Sequence, residues 1–279
     1  MKNKATLCPR CRQLIGSEET TCSWCGTSRT SPWWHMVSWT RGVTDGNGVL
    51  TAIITVNIVF YIFSLLISSR IGGSGGLGML GPDRTSLLLL GATGTVPIDH
   101  YGRIWSIISA NYLHAGILHI IFNMMALRNL APLTMSEYGV NRMFIIYTLG
   151  GAGGFWVSYL AGVPFTVGAS AAVCSLIGAL LYFGKSRGGA YGSTVYREVN
   201  GWIISLVIIG FIMPGINNWG HGGGVVSGII LGKLLGYGEG HRASRFHAIL
   251  AIICAIATVG VLFMAGYCSL MMYLRSLHA

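Results

Sequence analysis

Seven apolar stretches almost free of charged side chains take up nearly half of this chain, and they decide what it can fold into. They run over 49–68, 119–136, 143–162, 170–184, 202–214, 221–237 and 247–274. A bilayer's hydrocarbon core is ~30 Å thick and is crossed by a helix of about 20 residues, which bonds all its backbone polar groups internally. Only 9% of the 279 residues are charged and 52% are hydrophobic, whereas soluble domains carry roughly 25% charged residues. An ordinary water-soluble fold is excluded, and an all-α polytopic membrane protein is expected. The 41 glycines fit that class, because small residues let membrane helices approach closely. The four-leucine run at 87–90, in the long loop after the first stretch, is too short to cross.

The formal charge of +10 would suggest a nucleic-acid partner in a soluble protein. Here most basic residues flank apolar stretches, so no nucleic acid is expected and the lipid bilayer is the partner. With the N-terminus inside and the stretches alternating, fourteen of the eighteen basic residues face the cytosol. Arg70, Arg84, Arg103 and Arg275 face out. That bias follows the positive-inside rule and implies a multi-pass plasma or inner-membrane protein with a cytosolic N-terminus. Arg128, within the second stretch, is read as snorkelling to the inner face.

The first 30 residues hold no apolar run and so no secretory signal. They hold Cys8-Pro-Arg-Cys11 and Cys22-Ser-Trp-Cys25, four of the seven cysteines. Two such CxxC turns can place four thiolates in a tetrahedron around Zn²⁺. Four sulfurs fill the coordination sphere, so the metal's role is structural. Disulfides would need an oxidising compartment, and the charge pattern puts this head in the cytosol. The expected organisation is a zinc-ribbon-like knuckle at 1–30 and a linker at 31–48 whose tryptophans suit the lipid–water interface. A transmembrane core at 49–240 and an additional C-terminal transmembrane helix at 241–279 follow. The knuckle is also a place where a cytosolic partner could dock.

Polar groups inside apolar spans need a reason, and three places stand out. His119 and Asn123 in the second stretch share a helix face, with His114 just before them. Ser170 opens the fourth stretch after Gly168. His221 opens the sixth and is followed by Gly224, Gly228, Gly232 and Gly236 at intervals of four. A glycine stripe allows near backbone-to-backbone packing, and Ser170, Cys174 and Gly178 offer the matching face. If the two faces meet, Ser170 and His221 stand together at one end. A serine hydroxyl becomes a nucleophile when a neutral histidine takes its proton. His119, Asn123 and the Ser170 backbone N–H are donors for the oxyanion that follows. No acidic residue lies near Ser170 or His221 in sequence, so a Ser–His dyad is the economical catalytic unit.

Taken together, His114-x4-His119-x3-Asn123, Gly168-Ala169-Ser170 and His221 with its glycines resemble the rhomboid family of intramembrane serine proteases, from Leu90 to about Gly236. The resemblance implies a six-helix core with a seventh C-terminal helix, Ser170 as nucleophile and His221 as base. It implies His119 and Asn123 as oxyanion-stabilising residues, and transmembrane segments of other proteins as substrates. No organic cofactor is expected. A rhomboid-like protein that binds membrane clients without cutting them is the alternative. Three positions depart from the family's pattern. Ser106 stands where Trp105 is usually followed by arginine, a loss that Arg103 could make good. Ala171 replaces the glycine after the nucleophile, and Cys174 replaces an aromatic that stacks on the histidine.

Overall fold

The computed structural model describes residues 6–8, 14–16, 18–24, 26–28, 30, 46–71, 81–212, 215–238 and 245–276. The chain divides into two compact units, Met1–Ala52 and Ile53–Ala279. In the first, strands β1 (Thr6–Leu7) and β2 (Leu14–Ile15) pair antiparallel, Thr6 opposite Ile15. Cys8, Ile15 and Cys22 pack together, buried. Cys22 N–H donates to Thr27 O (2.9 Å) and Gly26 N–H donates to Cys22 O (2.9 Å). That tight turn puts Gly26 at φ +68°, a conformation glycine adopts without steric cost. Cys8 and Cys22 are thus neighbours, while Cys11 and Cys25 lie outside the described residues. Among the described residues no group of three His, Cys, Asp or Glu forms a metal site.

The long helices are α1 (Gly46–Ile71), α4 (Ile117–Tyr138), α5 (Val140–Leu160), α6 (Ser170–Arg187), α7 (Gly189–Ile212), α8 (Asn218–Leu235) and α9 (Arg245–Ser276). Two short ones, α2 (Arg84–Leu89) and α3 (Ser106–Ser109), lie in the loop between α1 and α4. The 87–90 leucine run therefore does not cross, as expected. Among the described residues five segments are long and apolar enough to span a bilayer: Gly46–Ser68, Ile117–Tyr138, Val140–Leu160, Gly189–Ile212 and Arg245–Leu274. Helices α6 and α8 are not among them. Each has 18 residues, about 27 Å at 1.5 Å per residue. Their glycines and terminal Lys185, Arg187 and Lys233 dilute their apolarity. Twelve residues of α6 are buried, so protein rather than lipid is its surroundings, and a central helix need not be uniformly apolar.

The fifth helix departs from the sequence reading. It begins at Gly189, not near Trp202, because Arg197 and Glu198 interrupt the apolar run without interrupting the helix. Both are exposed, and charged residues are good helix formers where solvent reaches them. The expected inner loop shrinks to Gly188.

Helices α6 and α8 run parallel. A Cβ added at Gly224 would overlap the carbonyl oxygen of Ala171, one at Gly228 that of Ser175, and one at Gly232 would lie 3.1 Å from Ala179 Cα. The register is therefore 171 with 224, 175 with 228 and 179 with 232. The expected face is present and one residue broader: Ala171, Ser175 and Ala179 oppose the glycines, and at Gly178 an added Cβ would overlap the Val225 carbonyl oxygen of α8. Cys174 and Gly178 flank the seam, with Cys174 Cβ 3.0 Å from the Gly224 Cβ position. Gly236 lies past the helix end with nothing within 4 Å of its Cβ position, so the stripe ends at Gly232. Gly228→Val should cost about 1–3 kcal/mol of stability through overpacking, read as a lowered unfolding midpoint in detergent. Gly260→Ala, with open space around it on α9, should leave that midpoint unchanged or raised.

Candidate active site

The loop before α4 is shaped by polar bonds rather than by apolar packing alone. Asp83 Oδ1 caps α2 by accepting from Ser86 N–H (2.7 Å). Arg103 Nη1 donates to Leu88 O at the end of α2 (2.6 Å), and its guanidinium lies 5.5 Å from the Tyr101 ring centre and 6.0 Å from that of Trp105. Arg103 thus supplies a cation in the loop where Ser106 does not. Ser106 is buried and its hydroxyl donates to Thr93 Oγ1 (2.9 Å). Thr93 and Thr166 exchange backbone bonds of 3.0 and 2.7 Å, and Gly168 N–H donates to Ala110 O (2.9 Å). These bonds bring residues 91–111 against the approach to Ser170.

Ser170 is the first residue of α6 and half-buried. Gly168, at φ +136°, turns the chain into the helix, a conformation that favours glycine. There is no room for more than glycine: an added Cβ would stand 2.7 Å from His119 Nε2 and Cε1, and 3.5 Å from Ser170 Oγ. The His119 imidazole and the Ser170 hydroxyl therefore converge on one point. Ala115 N–H donates to His119 Nδ1 (3.4 Å), which leaves Nε2, the nitrogen beside Gly168, as the hydrogen-bearing one. The Ser170 backbone N–H is one of the first helical amides, which have no intrahelical acceptor.

His221 lies in the first turn of α8 and is half-buried, with Nδ1 enclosed and unbonded among the described residues. Asn217 Oδ1 caps that turn by accepting from Gly220 N–H (2.9 Å). Gly154 of α5 is the junction. A Cβ there would lie 2.7 Å from Gly220 O, 3.0 Å from Ala171 Cβ and 3.0 Å from Gly224 N. The residue before His221 and the residue after Ser170 thus meet around one glycine, and the Ala171 methyl is received where Gly154 has none. No hydrogen bond joins Ser170 to His221 among the described residues; catalytic contacts are often long until substrate binds.

Asn123 is buried one turn below His119, and its Nδ2 donates to His119 O (2.9 Å). One of its amide hydrogens is thereby committed to its own helix, a difference from the expected free donor. His114 is fully buried and packs edge-to-face on His119, ring centres 5.1 Å apart. Burial, with His119 beside it, pushes His114 well below the ordinary histidine range, so it packs as a neutral ring. Arg128 is exposed.

Two features were not legible beforehand. Asn217 Nδ2 donates to Ser158 Oγ (2.7 Å) and Thr166 Oγ1 (3.0 Å), tying α8 to α5 and to the Ser170 approach. Its place just before a helix start was the available signal. Gly154 had no distinguishing signal among the glycines of α5. To the side, α7 is held closely at its N-terminal end, where a Gly184 Cβ would lie 2.8 Å from Tyr196 N. Phe211 and Ile212 at its other end are 84% and 73% exposed. There Asn218 Nδ2 donates to Gly210 O (3.0 Å).

A rhomboid-domain family model matches residues 101–238, the stretch that contains His114, His119, Asn123, Ser170 and His221. RHOMBOID-like protein 5 of Arabidopsis thaliana is 30% identical over 222 residues, covering 69% of each chain. The chain belongs to the rhomboid family. With the five long apolar helices, membership makes it an integral multi-pass membrane protein. RHOMBOID-like protein 4 of Arabidopsis thaliana is 31% identical over 159 residues, 56% of this chain and 40% of that protein. Rhomboid protease GluP of Bacillus subtilis is 29% identical over 162 residues, 58% of this chain and 32% of GluP. The chain therefore aligns with less than half the length of these last two relatives.

Proposed function

We propose that this chain is an intramembrane serine protease that cuts peptide bonds in or near the transmembrane segments of other membrane proteins. The observation that carries the proposal is the convergence of Ser170 Oγ and His119 Nε2 on the Gly168 Cβ position, at the end of the helix pair where His221 also stands. In this reading neutral His221 takes the Ser170 proton as Oγ attacks the scissile carbonyl. The tetrahedral oxyanion receives hydrogen bonds from His119 Nε2–H, the Ser170 N–H and the remaining Asn123 amide hydrogen. Collapse expels the amine, which takes its proton from His221, and water then releases the acyl group from Ser170 by the reverse proton path. The substrate helix enters beside α7, the least buried of the spans.

A non-catalytic rhomboid-like binding protein is the second reading, favoured by Cys174 in place of a stacking aromatic. One assay separates the two. The purified chain should cleave a reporter transmembrane helix, and Ser170→Ala and His221→Ala should each reduce cleavage by at least about 10³-fold. His119→Ala should cost about 10²–10³ in kcat, the loss expected for an oxyanion donor. Equal cutting by wild type and both alanine variants would remove the protease reading. A disulfide between Gly210→Cys and Asn218→Cys should slow reporter cleavage and leave fluorophosphonate labelling of Ser170 unchanged. If cleavage keeps its rate with the disulfide formed, entry beside α7 is wrong.

The N-terminal unit fits structural zinc. The burial of Cys8 and Cys22 together supports this reading. Cys8, Cys11, Cys22 and Cys25 would be the four thiolates, with the unit on the cytosolic side, where a soluble partner could dock. The full chain should then retain about one zinc per molecule after purification, and Cys8→Ser or Cys22→Ser should lose it. Metal analysis showing no zinc in the wild type would refute the site.

A further inference from the structure

The close seam between α6 and α8 sets the spacing of the two helices, but it offers little to hold the first turn of α8. A glycine surface has no side chains to interlock, and the first amides of a helix have no acceptors within it. His221 stands in that turn, and its N–H donates to the carbonyl of Asn217 (3.1 Å), the residue that caps the helix. Whatever holds Asn217 therefore bears on where His221 stands. As a cap, Asn217 needs only its Oδ1, which accepts from Gly220 N–H (2.9 Å). A serine would serve that purpose nearly as well.

Its Nδ2 does more than a cap requires. It donates to Ser158 Oγ (2.7 Å), in the last turn of α5, and to Thr166 Oγ1 (3.0 Å). The Gly220 N–H can only donate, so it fixes which end of the amide is oxygen. Both amide hydrogens are then engaged with other elements. Ser158 and Thr166 are buried, where directional bonds of this kind meet little competition from water. Thr166 precedes Ser170 by four residues, as Asn217 precedes His221. Thr166 is itself held by its two backbone bonds with Thr93 (3.0 and 2.7 Å). A Cβ added at Gly220 would stand 2.8 Å from Asn217 Nδ2, so the amide lies directly against the residue before His221. One side chain thus joins the turn that carries His221 to the segment that leads into Ser170, and both to α5.

We propose that Asn217 is a positioning residue: its amide, bonded to Thr166 and Ser158, holds His221 in place against Ser170. The glycine seam sets how close α6 and α8 lie, and Asn217 sets where the first turn of α8 stands across that seam. This inference rests on the protease reading above. A residue that only capped α8 would be indifferent to losing its amide hydrogens so long as an oxygen remained for Gly220 N–H.

The test is a substitution series in the full chain, read by reporter-helix cleavage and by the rate of fluorophosphonate labelling, well below each variant's unfolding midpoint. Asn217→Ser keeps the cap and removes the cross-links. It should lower kcat and the labelling rate together by about tenfold, the order of loss expected from a small displacement of a catalytic group. KM should stay within about twofold, because substrate contacts are untouched. Thr166→Val removes one acceptor at constant shape and should fall between wild type and Asn217→Ser, whereas Thr166→Ser, which keeps the hydroxyl, should match wild type. In the Asn217→Ser background Thr166→Val should cost nothing further, as for two halves of one contact. If Asn217→Ser cuts and labels like wild type, or changes KM alone, the inference is overturned. It is also overturned if Thr166→Ser is as slow as Thr166→Val, or if the losses multiply in the double variant. A wild type that neither cuts nor labels overturns the protease reading, and this inference with it. Should Asn217→Ser not fold, Thr166→Val against Thr166→Ser decides by the same two rates.

Discussion

Everything at the candidate site of this protein depends on two helix backbones lying in contact. Where Gly224 and Gly228 face the carbonyls of Ala171 and Ser175, no side chain separates α8 from α6. Lipid chains are as apolar as leucine, so burial of apolar surface does not drive helices together within a bilayer. Close approach gains dispersion contacts over a long seam instead. Because the two helices are parallel, the seam also fixes a common end. Ser170 and His221 are the residues standing there, and their relative height follows from the register and not from any bond between them.

A second layer of constraint comes from polar bonds that cross between elements. Thr93 with Thr166, Gly168 with Ala110, and Asn217 with Ser158 and Thr166 join the loop, α5 and α8 around the start of α6. Such bonds have little competition from water in this setting, and they are directional where the helix seam is not. The two kinds of force divide the work. Apolar close packing sets the depth and spacing of the helices, and hydrogen bonds set the path of the loop that presents His119.

Much of this was written plainly in the chain. Apolar runs located the long helices, and the period-four glycines identified the α6–α8 pairing before any coordinates. The errors have physical causes. A hydropathy window ends where charge begins, so it missed the first turns of α7, which carry Arg197 and Glu198 but remain helical. A stripe of small residues defines a face only to within one position, so the seam holds Ala171, Ser175 and Ala179 beside the expected Cys174 and Gly178. Interactions distant in sequence left no periodic mark. The reach of Arg103 to Leu88, the junction at Gly154 and the side-chain bonds of Asn217 each involve single residues whose partners are set by the assembled bundle. Polar side chains inside apolar runs marked Ser170, His221, His119 and Asn123, and the resemblance implied the same roles; the structure adds that Asn123 already spends one amide hydrogen on its own helix.

The meeting of Ala171 with Gly154 has a consequence for how this sequence is free to drift. The space between α5, α6 and α8 holds one methyl group, and here that group is carried by α6. A mutation adding carbon at 154 meets the Ala171 methyl and, whatever stands at 171, the backbone of α8 at Gly220 O and Gly224 N. The allowance is one-sided: α6 is free to carry the methyl or to lose it, whereas α5 cannot take it over unless the backbone of α8 gives way.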